Sequence, residues 1–271
     1  MIRILPNGGT MYMPAKKPER PQPKRGNTSG WSRNVSRRNA DFLLSVLATQ
    51  LTGHGLALSL TLKDCPPSAD HWHRVRLAFV HRLRRLGMIR LHWLTEWQCR
   101  GVPHLHAAVW FEASIPPHVV REHWLAAAVE YRPGPYAQHI TPITGAPGWF
   151  EYLAKHATRG VQHYQRSPEL IPTGWKTKTG RMWGHLGSWP TAEAQEIDPP
   201  LAVWHQFRRL MIRYQIGKAR RQRDTSRLRY LRAYRCRAPK DTSAVQALPR
   251  LWIPSDDQWA LLACAHGSHE V

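Results

Sequence analysis

Gly101-Val102-Pro103-His104-Leu105-His106-Ala107-Ala108-Val109-Trp110-Phe111 reads as a strand whose first half carries chemistry and whose second half is apolar. Side chains alternate faces along a strand, so His104 and His106 point one way while Leu105 points into a core. Two imidazoles on one face are the beginning of a metal site. Upstream, Met88-Ile89-Arg90-Leu91-His92-Trp93-Leu94-Thr95-Glu96-Trp97-Gln98 reads as a second strand, and Cys99-Arg100-Gly101-Val102-Pro103 as the turn between them. An odd-length loop centred on Gly101 puts Glu96 opposite His106 and Gln98 opposite His104, with carboxylate and imidazoles on one face. An even loop turns Glu96 to the other face. A His/carboxylate set with open positions fits Mg2+ or Mn2+ in phosphate chemistry, and imidazoles also attract Zn2+. The plainer reading is a hairpin whose wet outer face carries polar residues by default.

Outward from the hairpin, other elements follow from pattern. A helix is expected from about Asn34–Ser36 to Thr52, carrying Phe42, Leu43, Val46, Leu47 and Leu51. Leu56 to Leu62 alternates as a strand with Ser59 and Thr61 on its polar face. Ser68 or Asp70 caps a helix to about Leu86, with Val75, Phe79, Leu83 and Leu86 inward. Pro116-Pro117 opens another helix, Gln138 to Ile143 is a short strand, and Pro147 to His156 is a helix. The order strand, helix, strand, strand, helix, strand, helix describes an α+β fold. It is a ferredoxin-like, RRM-like antiparallel sheet with helices on one face. The other face, with Ser59, Thr61, Glu96, His104 and His106, is left as a working surface.

Composition narrows the class of partner. The chain has 271 residues, 42% hydrophobic, with 13 Trp, enough for a sizeable core. Lys and Arg number 39 against 18 Asp and Glu, a net charge of +21. Such an excess points first to a nucleic-acid backbone. No apolar run reaches the ~18 residues of a membrane span, and the N-terminus lacks a signal-peptide pattern. The scattered Cys65, Cys99, Cys236 and Cys264 show no C-x-x-C spacing, which suits a reducing, cytoplasmic setting. Residues 1–34 are expected to be a flexible basic arm, 35–190 the domain that carries the histidine hairpin, and 191–271 a basic, mainly helical C-terminal extension.

Tyr152-Leu153-Ala154-Lys155 places Tyr152 and Lys155 on one side of a helix. A tyrosine hydroxyl is a competent nucleophile when oriented and supported by a metal or cation, and Lys155 is a point charge for a phosphate oxygen. Taken alone, the pair reads equally as a half-buried Tyr beside a solvated Lys. The ordered set of a polar-faced strand, Glu96-x-Gln98-x-Arg100-Gly101-x-Pro103-His104-Leu105-His106 and Tyr152-x-x-Lys155 resembles the HUH endonuclease superfamily. Within that superfamily it is most similar to the rolling-circle replication initiators of small plasmids and single-stranded DNA phages. The likeness covers about Leu56 to Arg159. The trailing Gly180-Arg181-Met182-Trp183-Gly184 also looks like a segment found after the catalytic region of such initiators.

The resemblance implies metal ligands at His104, His106 and Glu96, with Gln98 in reserve, a nucleophile at Tyr152 and a helper at Lys155. It implies Mg2+ or Mn2+ as cofactor, and nicking and rejoining of single-stranded DNA at a replication origin through a 5′-phosphotyrosyl link. A free 3′-hydroxyl would prime synthesis by host helicase and polymerase. With Gly at position 148, the pattern is that of a single-tyrosine enzyme. Tyr131, Tyr136 and Tyr164 are rivals in sequence. Arg100, Lys176, Lys178, Arg181, Arg208 and Arg209 are the candidate DNA contacts. Gly-x-x-x-x-Gly-Lys-Ser/Thr occurs nowhere, so no helicase motor is expected. A strand transferase of the transposase type is the competing enzyme. A non-catalytic basic nucleic-acid-binding protein is the competitor from another class, and the His strand lacks the paired aromatics on which such sheets stack bases.

Overall fold

The computed structural model describes residues 1–11, 30–146, 148, 149, 152, 156, 161, 163–236 and 253–267. The chain divides into two compact units, one of residues 1–21, 43–46 and 191–271, the other of residues 22–42 and 47–190.

In the first unit, β1 (Ile2–Leu5) pairs antiparallel with β2 (Gly8–Met11) on one side and with the strand Gln195–Ile197 on the other. Ile2, Ile4 and Met11 are buried in one cluster with Trp204, Phe207 and Met211 of the helix Leu201–Arg221. Residues 1–11 are therefore not part of a flexible arm. The Lys/Pro-rich stretch that follows dominates the composition of the N-terminus, but Ile2 and Ile4 sit two apart on one strand face and bury it. Helices Thr225–Cys236 and Ser255–Gly267 complete the unit.

The second unit is built on five antiparallel strands. Helix α1 (Arg33–Ser45) supplies its residues up to Phe42 and ends well short of the expected Thr52, with a short 3-10 turn at Ala48–Gln50 following. Then come β3 (His54–Thr61), α2 (Ala69–Arg85), β4 (Met88–Trp97), β5 (Pro103–Phe111), α3 (Pro117–Ala127), β6 (His139–Ile143) and β7 (Trp183–Gly187). The order across the sheet is β6-β3-β5-β4-β7. Its first four strands have the ferredoxin-like arrangement, in which β3-α2-β4 and β5-α3-β6 are interleaved crossovers. Edge strand β6 contains Pro142, paired with Leu56, and β7 forms the opposite edge.

The local causes are legible. Ser68 caps α2 by accepting from the His71 N–H, and Arg82, Arg84 and Arg85 lie at the negative end of its dipole. Leu56, Leu58 and Leu60 on β3, Leu91, Trp93 and Trp97 on β4, and Leu105, Ala107 and Val109 on β5 share a core with Trp72, Val75, Phe79 and Leu83 of α2 and Trp124 of α3. This buried alternation fixes register, because a slip by one residue would turn every apolar side chain to the opposite face.

That opposite face is not the open surface expected from sequence. His92, Glu96, His106 and Trp110 all lie on it and are buried. Phe42 of α1 stacks on His92 and His185, and Trp149 and Trp189 pack on Trp110.

Two glycines should respond differently to a side chain. Gly187 has φ +76°, and a Cβ there would lie 2.0 Å from the Ile89 carbonyl oxygen. Gly87 has φ +81° with open space around it. We expect Gly187→Ala to cost about 3 kcal/mol or more and Gly87→Ala only about 1 kcal/mol, measured by urea unfolding.

Candidate active site

The hairpin loop between Trp97 and Pro103 is odd, as the site required, but it is centred on Arg100. Glu96 therefore pairs with His104, and Leu94 with His106. Because the shift from the expected pairing is two residues, Glu96 stays on the histidine face and reaches His106 diagonally, Oε2 to Nε2 at 3.5 Å. Gly101, in the left-handed region at φ +75°, closes the turn. Arg100, expected to contact DNA, is turned onto its own chain. It donates to Gln98 Oε1 and to the carbonyls of Leu62 and Lys63, clamping the loop to the end of β3.

Both imidazoles are held from outside. His106 Nδ1 bonds Ser59 Oγ at 2.9 Å, and Gln98 Nε2 donates to His104 Nδ1 at 3.2 Å. Ser59 Oγ can accept from His106 Nδ1, which puts the lone pair of that ring on Nε2, the nitrogen facing Glu96, whereas the Gln98 amide makes His104 Nδ1 an acceptor and so places the proton of the neutral His104 ring on Nε2. The ring centroids of His104 and His106 are 4.3 Å apart. Among the described residues, no three His, Cys, Asp or Glu side chains already form a group that could hold a metal ion. The nearest approach is His106 with Glu96, whose 3.5 Å separation matches that of two donors ~2.1 Å from one ion. Two imidazoles and a carboxylate suit Mn2+ or Zn2+ better than Mg2+, which prefers oxygen.

Glu96 is fully buried, and so is its partner Arg166, which donates Nε–H to Glu96 Oε1 at 2.8 Å. The guanidinium stacks 3.8 Å from the centre of the Trp31 ring and also donates to Ser36 Oγ and the His156 carbonyl. Sequence reading missed Arg166. It lies 70 residues from Glu96, in a short 3-10 turn without periodic pattern.

Tyr152 is brought to the same face. Its ring is 4.5 Å from His156, and His156 is 4.7 Å from His106, so Tyr152, His156, His106 and His104 form one row. His156 lies four residues after Tyr152, the spacing of one helical turn, which is the signal that could have found it. The Tyr152 hydroxyl bonds His92 Nδ1 at 2.9 Å, and His92 Nε2 bonds Asn39 Oδ1 at 2.9 Å. An amide oxygen only accepts, so His92 carries its proton on Nε2 and Nδ1 accepts from the phenol. Burial holds His92 neutral, its pKa lowered to about 3. Burial first, and then the charge of Glu96, push the Tyr152 phenol well above its ordinary range. At 5% exposure, Tyr152 is a protonated, covered phenol.

The remaining expected residues disperse. Lys155 lies outside the described residues. Lys178 pairs with Asp70 at 2.9 Å, and Lys176 and Arg181 are exposed nearby in sequence. Arg208 and Arg209 belong to the helix Leu201–Arg221 of the other unit. Among the rival tyrosines, Tyr131 joins the apolar core, while Tyr136 and Tyr164 are exposed.

Fold and site together define an α+β protein whose sheet carries a histidine pair, a buried carboxylate and a covered tyrosine on one face. Comparison with known proteins gives the family. The chain is 45% identical over 258 residues to a replication-associated protein of Pseudomonas phage Pf3, covering 94% of this chain and 91% of that protein. It is 42% identical over 271 residues to a provisionally named replication protein of Xylella fastidiosa strain 9a5c, covering 97% of this chain and 95% of that one. A similarly named protein of strain Temecula1 is 44% identical over 231 residues, 83% of this chain and 87% of its own length. The chain belongs to the family of the Pf3 replication-associated protein. No family profile and no solved structure matches it.

Two measurements test this geometry. Arg166→Met strands a buried carboxylate and should cost about 3–5 kcal/mol, and adding Glu96→Gln should restore much of the loss in a double-mutant cycle. His92 is neutral when folded and titrates near 6.5 when unfolded, so the unfolded chain binds more protons between pH 6.5 and about 3. Its contribution is present above pH 6.5 and lost as pH falls. Between pH 7 and 5 the wild type should lose on the order of 2 kcal/mol more unfolding free energy than His92→Gln.

Proposed function

We propose that this protein initiates rolling-circle DNA replication, cutting and rejoining single-stranded DNA at an origin through Tyr152. The observation that carries the reading is the row from Tyr152 through His156 to His106 and Glu96, in a chain alike over nearly its whole length to a phage replication-associated protein.

In this reaction the Tyr152 oxygen attacks the scissile phosphorus, the bond to the 3′-oxygen breaks, and a 5′-phosphotyrosyl link remains. The phosphodiester energy is kept in that link, so the reverse attack by a 3′-hydroxyl rejoins the strand without ATP. A divalent ion held by His104, His106 and Glu96, Mn2+ or Mg2+, would supply charge to polarise the scissile phosphate. Ser59 holds the His106 imidazole for that role, His104 would join by giving up its Nε2 proton and the Gln98 contact, and Arg166 keeps one oxygen of Glu96 while leaving the other toward His106. Lys155 adds a point charge for a phosphate oxygen.

The phenolic proton has an acceptor in place, His92 Nδ1, which is a weak base while buried and gains basicity as the charge of a phosphate enters. Attack requires Tyr152 to be uncovered first, because a phosphate cannot reach an oxygen so buried. No helix among the described residues is long and apolar enough to cross a membrane. The working place proposed is the host cytoplasm, with host helicase and polymerase extending the freed 3′-hydroxyl.

The test is adduct mapping. Incubated with origin-bearing single-stranded DNA and Mn2+, the protein should yield a nucleotide adduct on Tyr152 by mass spectrometry. The adduct should be lost with chelator, in His106→Ala and in Tyr152→Phe, while Tyr152→Phe still binds DNA. No tyrosine adduct with either Mn2+ or Mg2+ would leave the chain a DNA-binding protein without nicking chemistry.

A further inference from the structure

The helix-covered side of the sheet holds a second feature that the proposed chemistry does not use. Between α2 and strands β4 and β7 lies a cleft of about 350 Å3, and Arg76 reaches into it. Arg76 is 8% exposed. Its guanidinium lies over the Trp93 ring, 3.5 Å from the centre, and Trp93 in turn packs against Gly184, where a Cβ would come within 2.9 Å of the indole. Aromatic stacking and the missing side chain at Gly184 together build a fixed seat for the cation.

What this cation lacks is a counter-charge. No carboxylate pairs with it among the described residues. Of its five N–H donors, one reaches His73 Nδ1 at 3.0 Å and one the Arg181 carbonyl at a long 3.5 Å. The acidic group that lines the cleft, Asp70, is already held by Lys178 at 2.9 and 3.1 Å. The other charged groups lining the space, Arg181 and Arg84, are both basic. A buried cation among cations is costly unless an anion completes it. Burial and Arg181 lower the Arg76 pKa to about 9, so the charge persists at neutral pH.

We propose that this cleft is a phosphate-binding site, with Arg76 as the buried anchor and Arg181 and Arg84 closing on the same group, and that its ligand is a phosphodiester of single-stranded DNA. A guanidinium fork matches phosphate oxygens in a planar, paired geometry. Leu77 and Leu186 give the cleft an apolar wall beside the charged floor, suited to the sugar or base next to that phosphate. The cleft and the histidine row lie on opposite faces of one sheet. Edge strand β7 contributes Gly184 to the first face and Trp183 and His185 to the second. A DNA strand held in the cleft would pass around this edge toward Tyr152. The site stands without the nicking chemistry, since it needs only that the protein binds DNA.

The test uses the full chain and a fluorescein-labelled 20-nucleotide single strand, read by anisotropy across a salt series. Arg76→Gln should weaken binding about tenfold and lower the slope of log K against log salt by ~0.7, one phosphate contact. Arg181→Ala combined with Arg84→Ala, both exposed positions, should do the same and decides the matter if Arg76→Gln does not fold. Inorganic phosphate separates the sources of the ligand. If it leaves thermal unfolding unchanged while the DNA effect appears, the site reads a backbone phosphate. If it raises the wild-type midpoint but not that of Arg76→Gln, with DNA affinity unaltered by the substitutions, a free phosphate is the ligand and the DNA assignment is overturned. Wild-type affinity and slope in the variants, with no response to phosphate, overturns the site altogether. Tyr152→Phe should bind like wild type throughout, so loss of nicking and loss of this site are separately visible.

Discussion

The second unit is tied together by one buried ion pair. Glu96 and Arg166 sit where neither can reach water, and each charge is tolerable only because of the other. Arg166 lies over the Trp31 ring, touches Ser36 at the start of α1, and donates to the carbonyl of His156, so one side chain joins α1, the inner strand β4 and the segment that carries Tyr152. Such a pair contributes little net stability compared with an apolar replacement. What it contributes is geometry, since a charged fork accepts few arrangements of its partners. The carboxylate oxygen nearest His106 is pointed there because the other oxygen is held from behind.

A net charge of +21 surrounds an interior arranged to avoid unpaired charge on the tyrosine face. His92 is kept neutral, Tyr152 is kept protonated, and Glu96 is neutralised by its arginine. In this condition the face carries no uncompensated charge. Its covering aromatics, Phe42, Trp149 and Trp189, exclude water in the same way. The basic excess lies outside this face, where charge of one sign favours a polyanionic partner in general.

Sequence alone was most informative where burial is one-sided. The alternation in 56–62, 88–98 and 103–111 marks three strands and the two faces they share, and the helical spacing of Val75, Phe79 and Leu83 marks α2 with its Ser68 cap. It placed Glu96, His104 and His106 on one face correctly but two residues out of register, because loop centring depends on which residue takes the left-handed turn. It did not foresee that the polar face would be covered. Phe42 and Trp149 read only as apolar residues of their own helices, and nothing local says which sheet face a helix will meet. β1, β2 and β7 are four or five residues long, rich in glycine or set beside basic low-complexity sequence, and carry too little pattern to recognise. Arg166 and Arg100 illustrate a further limit. An arginine in a basic chain reads as a DNA contact, yet both are used by the fold itself.

Pro142, on the outer strand β6, has a consequence for the chain in company with its own copies. A proline is accepted in a strand chiefly at an edge, where its missing N–H faces away from the partner, so the outward rim of β6 lacks a donor at the fourth of its five residues. A neighbouring copy trying to extend the sheet there finds an interrupted ladder. At the opposite rim, β7 is equally short and ends at Gly187 with the backbone turned into the left-handed region. Both rims are thus poor templates for strand addition, which guards this sheet against edge-to-edge pairing between copies of the chain.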